Sequence, residues 1–211
     1  MRAIIFCGGD VSDYDFYSNI DFEGSYIICA DGGLRHAQKM GIEPDLIIGD
    51  RDSWNGEYPE GIKTIVSPPE KDLTDTNLCI DNAIEHGCDE IILIGALGGR
   101  RDHEFSHICL LAYGLKRNVR IKISDRYNEV WMEDRPFTLK RGERRYVSFF
   151  PFGGDVEGFS IKGLKYETEN MRLVCDEVRA SSNEFADSDT AEISFKSGRL
   201  IVMLCSDRVS D

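Results

Sequence analysis

The sequence predicts an α/β class protein: a layered α/β domain with a mostly parallel sheet, followed by an antiparallel β-sandwich domain. Three observations carry that expectation. Over residues 1–125, short β-branched runs alternate with apolar stripes at helical spacing. Several of those runs are apolar on both faces, as strands in a covered parallel sheet are. After about Asp125 the helical stripes stop, and strand-like runs separated by glycine turns take over.

Strands are expected at residues 3–7, 26–30, 46–48, 64–66, 91–95 and 119–124. The first helix is marked by Leu34, Ala37 and Met40, with Gly41 and Pro44 as its stop signal. Thr76, Ile80, Ala83 and Ile84 mark the second, which ends at Gly87. Phe105, Ile108, Ala112 and Leu115 mark the third. In the second half, strands are expected at 146–150, 160–161, 172–175, 191–195 and 200–204. Gly153, Gly154, Gly158, Gly163 and Gly198 supply the turns. The boundary falls near residues 124–135, giving domains 1–125 and 126–211. No internal repeat is visible.

The chain has 211 residues, with 25 basic and 38 acidic side chains and a formal net charge of −13. That sign argues against nucleic acid and against anionic membrane surfaces, because both demand clustered Lys and Arg. The apolar run at residues 3–7 stops at Gly8-Gly9, too short for a signal peptide or a membrane span. None of the seven cysteines forms a C-x-x-C pair. Cys7, Cys29, Cys79, Cys109, Cys175 and Cys205 lie among apolar neighbours and are expected to be buried free thiols. An odd count without metal-type clusters points to a reducing compartment, so the expected location is cytoplasmic.

In an open parallel sheet, ligands gather beyond the carboxyl ends of the strands. The second strand is followed by Ala30-Asp31-Gly32-Gly33 and the third by Gly49-Asp50-Arg51-Asp52-Ser53. The fourth leads to Lys71-Asp72-Leu73-Thr74-Asp75 and the fifth to Gly98-Gly99-Arg100-Arg101-Asp102-His103. One sheet edge would then collect Asp31, Asp50, Asp52, Asp72, Asp75 and Asp102. Crowded carboxylates repel one another, and a divalent cation relieves that cost. Mg²⁺ takes one or two carboxylates together with phosphate oxygens and water. Asp50 and Asp52 are two residues apart, so in extended backbone they face one side.

Phosphate also needs donors. Gly32-Gly33 and Gly98-Gly99 let backbone N–H groups approach an anion, and Arg35, Arg51, Lys71, Arg100 and Arg101 supply positive charge. Asp72 and Thr74 also suit the N-cap of the second helix, and Asp102 that of the third. No P-loop and no G-x-G-x-x-G turn is present, and Gly8-Gly9 is too short for either. His103 and His107 lie four apart, a spacing that can bind zinc. No third ligand accompanies them, and they read as structural.

These strings resemble the thiamine pyrophosphokinase family. The resemblance rests on Ala30-Asp31-Gly32-Gly33, on residues 41–53, on residues 71–75 and on residues 95–103. In the second domain it rests on Gly163-Leu164-Lys165-Tyr166 and on Ser181-Ser182-Asn183-Glu184-Phe185. It runs in order from near the start to about residue 204. The resemblance implies an α/β ATP-binding domain, a β-sandwich that binds thiamine and dimerises, and a homodimer with shared clefts. It implies transfer of the diphosphate of ATP to the thiamine hydroxyl, with release of AMP. It implies Asp50, Asp52 and Asp75 as carboxylates for Mg²⁺ and phosphate, with Lys71 as a catalytic charge. Asp31, Gly32, Gly33, Thr74, Gly98, Arg100 and Asp102 would lie around ATP, and Ser182 and Asn183 would hold thiamine. Arg51 stands where the family usually has an aromatic residue. Trp131 is a further residue to weigh as a stacking partner for the pyrimidine, against a place in the core. Two other readings remain open: a diphosphokinase acting on another small alcohol such as a pterin, and a non-catalytic thiamine- or nucleotide-binding protein.

Overall fold

The computed structural model describes residues 1–50, 56, 58–66 and 73–208. The chain divides into two compact units, Met1–Arg126 and Tyr127–Asp211.

The first unit is built on six strands: β1 (Arg2–Phe6), β2 (Tyr26–Ala30), β3 (Leu46–Gly49), β4 (Lys63–Val66), β5 (Glu90–Ile94) and β6 (Arg120–Ser124). They lie in the order β6-β5-β1-β2-β3-β4 and pair in parallel throughout. Each agrees with its predicted position to within one or two residues. In β1, Ala3, Ile4, Ile5 and Phe6 are all fully buried, as a strand covered on both faces requires. The strand order reverses at β1. The chain runs from β1 to β4 on one side and from β5 to β6 on the other, which opens a crevice beyond the carboxyl ends of β1 and β5.

Among the described residues, three α-helices connect these strands: α1 (Leu34–Lys39), α2 (Asp75–Glu85) and α3 (Arg101–Leu115). Helix α1 leads from β2 to β3 and packs on β1 and β2, while α2 lies against β1, β2 and β3. Helix α2 starts at Thr74, whose backbone is extended and whose side chain accepts the Asn77 N–H at 3.3 Å. It ends where Gly87, at φ +88°, turns the chain and Cys88 donates back to the Ala83 carbonyl. Helix α3 departs from expectation at its start. Its N-cap is Arg100, with no side-chain cap, and Asp102 lies inside the first turn. There Asp102 and Glu104 oppose the positive end of the helix dipole.

The second unit is a sandwich of two antiparallel sheets. One has the order β12-β9-β14-β7, made of β7 (Asn128–Glu133), β9 (Tyr146–Pro151), β12 (Asn183–Glu184) and β14 (Leu200–Cys205). The other has the order β11-β10-β13-β8, made of β8 (Phe137–Lys140), β10 (Val156–Lys162), β11 (Thr168–Leu173) and β13 (Thr190–Ser194). Their inner faces share one apolar core that includes Val147, Phe149, Phe159, Ile161, Ile193 and Val202. Phe149 and Phe159 meet edge to face at 5.5 Å. Trp131 belongs to this core at 8% exposure, and its indole N–H donates to Glu133 at 3.1 Å. It is a packing residue rather than an open stacking surface.

The cysteine expectation needs adjustment. Cys7, Cys29 and Cys79 are buried, and so is Cys88. Cys109 and Cys205 are partly exposed, and Cys175 lies on the surface. Cys175 follows β11, where its neighbours alternate between core and solvent, so a flanking apolar run did not imply burial. No helix among the described residues is long and apolar enough to cross a membrane.

Candidate active site

A hollow of about 440 Å³ opens at the carboxyl ends of the parallel strands, at the point where the strand order reverses. Its wall comes from separate strand ends. Gly8 and Gly9 follow β1, Asp31 and Gly32 follow β2, Asp50 follows β3, Thr74 and Asp75 open α2, and Gly99 and Arg100 follow β5.

The turn after β1 is tightly built. Gly9 donates its N–H to the Gly95 carbonyl at 2.8 Å, and a Cβ at Gly9 would come 2.5 Å from that same oxygen. His36 of α1 holds the turn from behind. A carbonyl only accepts, so Nε2 carries the proton that it donates to the Gly9 oxygen at 2.8 Å. Nδ1 is then the acceptor for the Tyr14 hydroxyl at 2.7 Å. Burial pushes the His36 pKa down, which keeps the ring neutral in this arrangement.

Asp31 is 3% exposed and sits at φ +35°, a region that L residues seldom occupy. Two neighbours keep it there. The Tyr58 hydroxyl donates to Oδ1. Gly49 lies directly behind, where an added Cβ would come 2.5 Å from the Asp31 Cβ. Asp31 lines the hollow beside Gly32.

Of the residues expected at the site, Asp31, Gly32, Asp50, Thr74, Asp75 and Arg100 line this one hollow. Asp52 and Lys71 lie outside the described residues, as do Asp72 and Arg51. Three expected members do not line it. Gly33 is packed against β1, where a Cβ would meet the Phe6 carbonyl oxygen at 2.0 Å, which explains why a glycine stands there. Gly98 spends its N–H on the Glu104 carboxylate at 2.8 Å. Asp102 pairs with Arg100 at 2.6 Å on the open surface, and that hydrogen bond holds its carboxyl below the usual range.

The hollow also holds residues that the sequence did not single out for it. Thr76, Ala96, His103, Glu104, Ser106 and His107 complete the wall. His107 is committed on both nitrogens: Nδ1 bonds the Ala96 carbonyl at 2.7 Å, and Nε2 faces the Thr76 hydroxyl at 3.2 Å. That leaves it no lone pair for a metal. Gly8-Gly9 did carry a signal, a glycine pair at the carboxyl end of a strand. The pair fits neither nucleotide fingerprint, and that hid it.

Among the described residues, no three His, Cys, Asp or Glu side chains form a metal cage. The donor set of the hollow nonetheless suits Mg²⁺. Asp50 and Asp75 would supply the one or two carboxylates this ion normally takes from protein, alongside phosphate oxygens and water.

In the second unit, Asn183 is 4% exposed and its amide makes three hydrogen bonds within the fold. Oδ1 accepts the N–H groups of Tyr166 at 3.0 Å and Glu184 at 2.9 Å, and Nδ2 donates to the Tyr166 carbonyl at 2.8 Å. Asn183 therefore braces the 163–166 turn through its amide oxygen and one of its two N–H groups. Ser182, at φ +55°, donates its backbone N–H to Ser148 at 2.9 Å and keeps its side chain on the surface. Tyr166, which Asn183 braces, is 62% exposed.

Fold and hollow together define a class: an α/β protein with a polar hollow at the carboxyl ends of its parallel strands, followed by a β-sandwich unit. The comparisons with known proteins sharpen this. Residues 19–123 match the family model described as thiamin pyrophosphokinase, catalytic domain, and residues 136–200 match that for the thiamin pyrophosphokinase vitamin B1 binding domain. A thiamine pyrophosphokinase from Bacillus subtilis is 33% identical over 187 residues, covering 85% of this chain and 87% of the relative. Thiamine pyrophosphokinase 1 from Oryza sativa is 25% identical over 187 residues, covering 74% and 70%. The crystal structure of the Bacillus subtilis thiamine pyrophosphokinase superposes with a TM-score of 0.89 at 29% identity, covering 99% of this chain and 100% of that one. That from Geobacillus thermodenitrificans gives 0.85 at 29%, covering 98% of each. The chain belongs to the thiamine pyrophosphokinase family, and its substrates are accordingly ATP and thiamine.

Proposed function

We propose that diphosphate transfer takes place in the hollow of the first unit. The observation that carries this reading is the meeting of Asp31, Asp50 and Asp75 with Arg100 and the Gly8-Gly9 turn. These groups come from five separate places in the chain and converge where an open α/β sheet binds ligands. The thiamine hydroxyl oxygen forms a bond to the β-phosphorus. The bond from that phosphorus to the α,β-bridging oxygen breaks, AMP leaves with the bridging oxygen, and the hydroxyl proton is released. In such transfers a protein mainly positions the reactants and balances charge.

Asp50 and Asp75, with Asp52, would hold Mg²⁺, which offsets negative charge on the triphosphate. Arg100 and Lys71 add fixed positive charge. Asp31, braced by Tyr58, presents a second polar wall to the nucleotide, and the N-terminus of α2, capped by Thr74, points its free N–H groups toward anions. Residues 1–125 are the ATP-binding catalytic domain, and 126–211 the thiamine-binding and dimerisation domain. A homodimer in the cytoplasm completes the reading. Exposed Tyr166 and Val178, at 62% and 72%, support a partner surface on the second unit, and light scattering in solution decides the oligomeric state.

Asp52→Asn is expected to lower turnover about 100-fold or more, with the circular dichroism spectrum unchanged. Near-native turnover in that variant would remove Asp52 from the metal role.

A further inference from the structure

The wall of the hollow contains a carboxylate that the transfer chemistry above does not use. Glu104 sits in the first turn of α3, with its side chain 15% exposed. Its Oε1 accepts the backbone N–H of Gly98 at 2.8 Å and that of Gly99 at 3.2 Å. Its Oε2 accepts from the Arg101 guanidinium at 2.6 Å. Two successive backbone N–H groups turned onto one acceptor form a nest, a concavity that binds anions. In a hollow that receives a polyphosphate, such a nest is a natural seat for a phosphate oxygen. Here the chain fills it with its own carboxylate.

The consequences spread through the wall. Gly98 stands at φ +90°, and its carbonyl accepts the Asp10 N–H at 3.1 Å, so the turn that Glu104 holds is joined to the turn after β1. Arg100 is the next residue after the nest and lines the hollow. Where Glu104 fixes the turn, it also fixes the starting point of the Arg100 side chain.

We infer that Glu104 is a positioning residue for the transfer reaction: its carboxylate closes the Gly98–Gly99 nest, holds Arg100 at the hollow and keeps small anions out of the turn. This rests on the reading that diphosphate transfer occurs in the hollow. Glu104→Ala leaves the nest open. Glu104→Gln retains an amide oxygen able to accept both N–H groups.

Two measurements test the assignment. In steady-state kinetics, Glu104→Ala raises the KM for ATP about tenfold while kcat stays within about threefold, and Glu104→Gln restores the KM to within about threefold of the parent chain. An unchanged KM in Glu104→Ala, or a Glu104→Gln variant as impaired as Glu104→Ala, overturns the inference. In nitrogen-resolved NMR of the full chain, the Gly98 and Gly99 amide signals stay in place when millimolar inorganic phosphate is added, and they move in Glu104→Ala. Phosphate-dependent shifts of the same size in the parent chain overturn it. Failure of the parent chain to make AMP from ATP and thiamine would refute the transfer reading alone, and the NMR comparison still decides whether Glu104 closes the nest.

Discussion

Asp31 shows how much of this site depends on single atoms. Its left-handed backbone is tolerated because Gly49 leaves room behind it and Tyr58 bonds its carboxylate. Gly49→Ala is therefore expected to displace Asp31 and lower kcat/KM for ATP with little change in secondary structure, a split readable by kinetics beside circular dichroism. Gly33→Ala meets a backbone carbonyl of the central strand at 2.0 Å, which no rotamer can relieve. Its cost is expected to reach about 1–3 kcal/mol, and denaturant unfolding measures it. Asp50 was legible in the sequence because it directly follows the buried strand β3, and Asp75 and Arg100 because they stand where a helix starts after a strand-end loop. The bonds that Gly98 makes to Glu104 and Asn183 to Tyr166 were not. Whether a backbone N–H or a side-chain amide is open to a ligand depends on which neighbour claims it first, and Glu104 and Tyr166 are set in place by tertiary structure.

At the scale of elements, the helices carry the most testable physics. Loss of the Thr74 cap on α2 through Thr74→Ala is expected to reduce stability by about 1 kcal/mol, seen as a lower denaturant midpoint at constant slope. Helices α1 and α3 are each pinned to a strand-end loop by a buried histidine, His36 to Gly9 and His107 to Ala96. Burial lowers both pKa values from 6.5. The unfolded chain therefore takes up protons near pH 6.5 while the folded chain still resists them. Stability is flat above that pH and falls as the pH drops below it. Unfolding midpoints measured from pH 7.5 to 5.5 should decline, and His107→Gln should flatten part of the slope. A midpoint independent of pH would contradict the buried neutral rings. The parallel strands were readable because two covered faces demand unbroken apolar runs. Strands β7 and β8 were missed because charged residues flank or alternate with their apolar ones. Strand β12 has two residues, too few for any period.

At the scale of the whole molecule, a chain of net charge −13 acts on one of the most anionic small molecules in a cell. The surface as a whole repels ATP, so the attraction has to be local. Arg100, the α2 N-terminus and a divalent cation on Asp50 and Asp75 are the elements that can supply it. The KM for ATP is accordingly expected to fall as salt screens the overall repulsion, until competition at the site sets in. The measurement that reaches the central claim most directly uses ATP labelled at the γ-phosphorus, supplied to the full chain with Mg²⁺ and thiamine, with products separated by chromatography. The account predicts label in thiamine diphosphate, AMP in equal amount, and loss of both in Asp75→Asn. Label recovered as orthophosphate with ADP, or undiminished product from Asp75→Asn, would contradict it.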